Sequence, residues 1–142
     1  MADTMMTGGV NKMVAMIAGA VLVLVGLLGF VMPAPLLGMF DVNMVHNVVH
    51  LLTGAVLLGG AFMNNGANAR MTLLVLGVVY ALVAVLGFVS PSMMESLVGD
   101  NVASTSMMPD NILHLLLAVV FIAVPLIVKE EVGKPMIGKP QM

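Results

Sequence analysis

Four stretches of this chain, roughly Met13–Met32, Met44–Met63, Met71–Val89 and Ile112–Val128, run almost without a charge. Each approaches the ~20 helical residues needed to cross about 30 Å of hydrocarbon. With 61% hydrophobic and 8% charged residues and a mean hydropathy of +1.13, the chain lies far outside the balance of a soluble domain. The expectation is an all-α integral membrane protein with four transmembrane helices, one membrane domain over residues 1–142. Four spans leave a short head, two loops on one side, one turn and a Lys-containing tail, so any chemistry must sit among the helices or in their loops.

Charge placement orients the bundle. All five basic residues fall on one side when the helices alternate: Lys12 before the first span, Arg70 between the second and third, and Lys129, Lys134 and Lys139 after the fourth. The opposite loops carry Asp41, Glu95, Asp100 and Asp110 instead. The positive-inside bias then places both termini in the cytoplasm, with a cytoplasmic tail over 129–142, in a multi-pass protein of the cytoplasmic (inner) membrane. A net charge of −2 and the lack of a basic patch exclude nucleic acid as a partner. With no cysteine there is no disulfide and no thiolate metal site. The first span, preceded by Lys12, has the look of a signal peptide, but its recurrence further along the chain argues that it is retained.

That recurrence is an internal duplication. Moving residues 12–33 forward by 58 positions matches ten of twenty-two residues, among them Gly19/Gly77, Leu28/Leu86, Gly29/Gly87, Phe30/Phe88 and Pro33/Pro91. Residues 44–56 recur in 108–120 with a shift of 64, and Asn47/Asn111, His50/His114 and Leu51/Leu115 coincide. The expected architecture is two helical hairpins, repeat one over 12–63 and repeat two over 70–128. A unit with an even number of spans returns to its starting side, so these are parallel repeats related by an axis along the membrane normal. Small residues four apart, at Ala15/Gly19, Ala55/Gly59 and Gly77/Ala81, are read as packing positions. Asn64-Asn65-Gly66 reads as a turn with positive φ.

Polar side chains within lipid are costly unless paired, so the repeated Asn and His point into the bundle or towards water. Asn43, Asn47, His50 and Gly54 share one helix face with His46 at its edge, and Asp110 or Asn111 leads to His114 in the same way. One reading is a structural polar network of Asn47, His50, Asp110, Asn111 and His114, with Asp110 as a helix cap and Pro109 in an early helical position. A second is a site in which His46, His50 and His114 with Asp110 hold a transition metal, or two imidazoles ligate haem axially. Methionines 32, 39, 44, 93, 94, 107 and 108 would suit copper, although sixteen Met in the chain read first as flexible apolar filler. Haem is disfavoured because the outer loops lack Arg or Lys to meet its propionates.

No enzyme is expected. The chain has no Ser-His-Asp order, His-Glu-x-x-His motif, phosphate loop or pair of central carboxylates, and Ser90, Ser92, Ser96, Ser104 and Ser106 have no evident partner. Without an ionisable residue at the midplane of a span, a channel or transporter is the weakest alternative.

Gly38-Met39-Phe40-Asp41-Val42-Asn43, His46-Asn47-x-x-His50-Leu-Leu-Thr-Gly54 and Asp110-Asn111-x-x-His114-Leu together resemble a family of small prokaryotic four-span membrane proteins classed as a domain of unknown function. The resemblance covers roughly residues 12 to 128 and implies the four-helix architecture, with the polar positions as a hallmark. It implies no activity. The expected function is that of an accessory or structural subunit, packed in the lipid bilayer against other membrane-protein subunits or itself. The alternative is an outward-facing binder of a metal, haem or pigment through His50 and His114.

Overall fold

The structure, a computed structural model, describes residues 9–98 and 107–128. Four long helices, α1 (Gly9–Val31), α2 (Met44–Phe62), α3 (Ala69–Val89) and α5 (Met107–Ile127), are joined by a short helix, α4 (Pro91–Val98), and by turns. The long helices are long and apolar enough to cross a membrane, yet only 22% to 33% of each apolar window is buried within the protein. Lipid is the environment that suits the remainder, since burying it in water-excluding surroundings is the dominant favourable term for such side chains. The chain is thus a multi-pass membrane protein by the character of its helices.

Local chemistry sets the helix limits. Asn43, in an extended conformation, caps α2 by accepting from the His46 backbone N–H at 2.7 Å. Between α2 and α3 a 3-10 turn, Met63–Gly66, places Asn64, Asn65 and Gly66 at positive φ. Asn and Gly are the residues that tolerate this conformation, as the sequence leads one to expect. At the same end Lys12 Nζ donates to Asn65 Oδ1 at 3.1 Å, and Arg70 Nε donates to the Pro125 carbonyl at 3.1 Å. The second contact gives a carbonyl in the last turn of α5 a side-chain partner.

Helix α1 packs along α2 and α3 along α5, while α3 also touches α1 and α2. The core between them contains Ala15, Leu22, Leu57, Leu73, Tyr80 and Phe121. Gly19 admits Leu57 and Leu58 into the α1/α2 crossing, and Gly77 admits Phe121 and Ile122 into the α3/α5 crossing. Nearer the opposite end, Gly29 lies under the Asn47 amide and Gly87 under the Asn111 amide, each so close that a Cβ would overlap it. The Ala55/Gly59 pair makes no such crossing, since Ala55 is exposed.

Three points differ from expectation. The stretch after α3, read as loop, forms α4, with Pro91 at its first position, where a missing N–H costs nothing. Helix α1 begins at Gly9, so Lys12 lies inside it instead of ahead of it. Helix α5 runs from Met107, which gives Pro109 the early helical position expected of it but places Asp110 inside the first turn, where it bonds a separate loop and does not act as the cap. Lys129, Lys134, Lys139, the tail 129–142, Asp100, Ser104 and Ser106 lie outside the described residues.

Candidate metal centre

The end of the bundle away from Lys12 and Arg70 gathers the three histidines of the chain. His46 and His50, one helical turn apart on α2, have ring centroids 4.3 Å apart. His114 comes from α5, with its ring 5.8 Å from His46 and 6.3 Å from His50. One nitrogen from each ring lies within 4.8 Å of the others. A tetrahedral ion with bonds of about 2.0–2.1 Å keeps its nitrogens about 3.4 Å apart, so closing this cluster takes little more than about one ångström.

The local fold determines how the rings are presented. Asn47, beneath which Gly29 leaves room, and Asn111, beneath which Gly87 does, are both buried. Each seats the helix that carries a histidine one turn further on, His50 at 7% exposure and His114 at 9%. His46 Nδ1 lies 2.9 Å from the Asp41 carbonyl, which only accepts; Nδ1 therefore carries the proton and Nε2 the lone pair. A backbone carbonyl holding the far nitrogen of an imidazole is the usual arrangement behind a metal-ligating histidine. His50 Nδ1 and His114 Nδ1 are buried and meet no hydrogen-bond partner among the described residues. Most buried polar atoms are paired, so two such orphans on neighbouring rings need a physical account.

Asp110, a candidate ligand by sequence, is outside the group of three. Its Oδ2 accepts from the Asp41 backbone N–H at 3.1 Å. Asp41 thereby links α5 to His46: its N–H is held by Asp110 and its C=O holds the His46 ring. With Asp41 Oδ2 also buried and without a hydrogen-bond partner among the described residues, two carboxyl groups stand beside three imidazoles. Such a pair of carboxylates compensates the charge of a dication held in a poorly solvated place.

Tyr80 of α3 completes the surroundings. Its ring lies 5.4 Å from that of His114 and edge-on to Phe121 at 5.8 Å. Its hydroxyl is 3.3 Å from Thr53 Oγ1, and that hydroxyl donates to the Val49 carbonyl at 2.8 Å. The Thr53 proton being used there, Tyr80 is the donor of the pair. Neither residue was singled out by sequence, although Tyr80 is the one tyrosine of the chain. Of the outer methionines, Met94 is buried and lines the adjoining cavity, whereas Met32, Met39, Met44, Met93 and Met108 are exposed.

Three neutral imidazoles are a donor set for zinc, copper, nickel or iron. No curated protein and no solved structure matches the chain. A family model does, over residues 12–127, and on that match the chain belongs to the family described as Domain of unknown function (DUF4383).

Proposed function

We propose that this membrane protein binds one divalent transition metal through His46, His50 and His114. The observation that carries the reading is the convergence of three imidazole nitrogens within 4.8 Å, with the Nδ1 atoms of His50 and His114 buried and lacking any hydrogen-bond partner among the described residues. Ligands within one small sphere suit a single ion, whereas a haem would need a clear plane several ångströms wide between two axial imidazoles. Asp110 acts from behind, by fixing the loop that orients His46.

The charge bias supports an outward site. Lys12 and Arg70 lie at the end opposite the histidines, so the positive-inside rule puts the metal on the non-cytoplasmic face. Matching contacts support two like-facing hairpins. The shifts of 58 and 64 that align the sequence also carry Gly29 on Asn47 onto Gly87 on Asn111, and Gly19 on Leu57 onto Gly77 on Phe121.

A supporting role in a larger complex draws on outward faces such as Ile17, Val21 and Leu24, each more than half exposed. Lipid covers such faces equally well, so they single out no protein partner.

The test is elemental analysis of the full chain purified in mild detergent, followed by reconstitution with Co²⁺. One equivalent of metal and a visible cobalt band, both lost in His50→Ala and His114→Ala, are expected. A chain that takes up no metal in either form overturns the reading.

A further inference from the structure

The histidines supply three donors, and no carboxylate joins their group: Asp41 and Asp110 line the same cavity of about 230 Å³ but stand outside the set whose ligand atoms converge. Most polar side chains around the cluster are committed elsewhere. Asn43 Oδ1 accepts from the His46 backbone N–H, Asp110 Oδ2 accepts from the Asp41 backbone N–H, and the Tyr80 hydroxyl is paired with Thr53. Asp41 is the exception. Its Oδ2 is buried and meets no hydrogen-bond partner among the described residues, and leaving a buried acceptor without a donor costs more than an ordinary hydrogen bond contributes.

The fold fixes where that side chain starts. Leu36 and Phe40 exchange two backbone hydrogen bonds, of 2.7 and 3.0 Å, which close a tight turn immediately before Asp41. Asp41 is then held on both sides of its backbone, by Asp110 at its N–H and by the His46 ring at its C=O. Neither contact uses its carboxylate. A metal with three protein ligands keeps a fourth position for water or another small ligand, whereas a structural site closes with four protein ligands. Outer groups that hydrogen-bond to whatever the metal holds are a regular part of such sites.

We propose that the fourth position of the metal opens on the cavity and carries a water, which donates a hydrogen bond to Asp41 Oδ2; this rests on the metal reading above. Asp41 is then a positioning residue for that water and sets a negative charge beside the open position. Small neutral ligands enter in exchange for the water. Anions are held off by the Asp41 carboxylate, since like charges in a poorly solvated place repel strongly.

The test uses the full chain in detergent, loaded with Co²⁺, whose visible band reports a change of ligand. Imidazole added to the solution should shift the band saturably. Azide should bind at least about tenfold more tightly to Asp41→Ala than to the unsubstituted chain, with the imidazole affinity within about threefold in both. The backbone contacts of residue 41 survive this substitution, so a merely structural role for the side chain would not raise one affinity alone. Asp41→Asn, neutral and of the same size, serves the same purpose should Asp41→Ala fail to fold. A cobalt band that neither ligand moves overturns the open position, and an azide affinity that does not rise relative to that of imidazole overturns the placing of Asp41; both results leave the metal site standing. Absence of a histidine-dependent cobalt band overturns the metal reading as well.

Discussion

The α1/α2 pair and the α3/α5 pair share a seating device and differ in what it presents. In both, an asparagine amide lies over a glycine of the partner helix, Asn47 on Gly29 and Asn111 on Gly87, and a histidine follows one turn later. One turn before that histidine the two diverge: α2 has His46 where α5 has Asp110. The first pair therefore supplies two imidazoles, and the second supplies one imidazole and the carboxylate that steadies the Asp41 loop. The seating device tolerates little change because backbones cross there. At the aligned positions His46 and Asp110 the two pairs differ in what they offer, an imidazole in one and a carboxyl group in the other.

Removing a ligand breaks the comparison most severely. His50→Ala and His114→Ala should each weaken metal binding by more than about 100-fold, a larger loss than substituting groups behind the ligands. Isothermal titration with Co²⁺ measures it, and equal losses would show that the two halves contribute equivalent ligands. Next come the crossings. Gly29→Ala and Gly87→Ala each drive a methyl into an asparagine amide and should destabilise by about 1–3 kcal/mol, the usual cost of overpacking. Thermal unfolding in detergent would reveal whether the two halves weigh alike; a neutral outcome at one glycine would break the equivalence there. Smaller again, Asp110→Ala should weaken metal binding about tenfold by releasing Asp41, with Asp110→Asn retaining much of the affinity because its amide oxygen still accepts from the Asp41 N–H. An unchanged affinity in Asp110→Ala would remove Asp110 from the site altogether. The smallest effect belongs to the far end. Asn65→Ala, at positive φ and bonded to Lys12, should cost about 1 kcal/mol or slightly more in the same unfolding assay, with no change in metal binding.

The four long helices are legible in the sequence because lipid demands an apolar residue at nearly every outward position, and that demand leaves an unbroken record. The asparagines and the histidines that follow them are legible because they are written twice. The role of Asp41 is not, since it is carried by a backbone N–H and C=O that every residue but proline possesses; only the folded loop shows what they meet. Asp110 has the side chain of a ligand, and its diversion to the Asp41 amide depends on how the first loop approaches α5. Helix α4 is too short for a periodic pattern to stand out from its surroundings, and its buried Met94 reads in sequence as one methionine among sixteen. Tyr80 is marked by its rarity, yet nothing in an apolar helix announces that its hydroxyl reaches Thr53 on another.

Two of the three imidazoles come from α2 and the third from α5. Helices joined by short connections can each settle in lipid before the halves meet, so neither half holds an ion by itself. Occupancy then requires both halves in register, with the first loop already anchored. An ion held as proposed would act as a clasp between α2 and α5, so that metal uptake would report on how these helices are assembled.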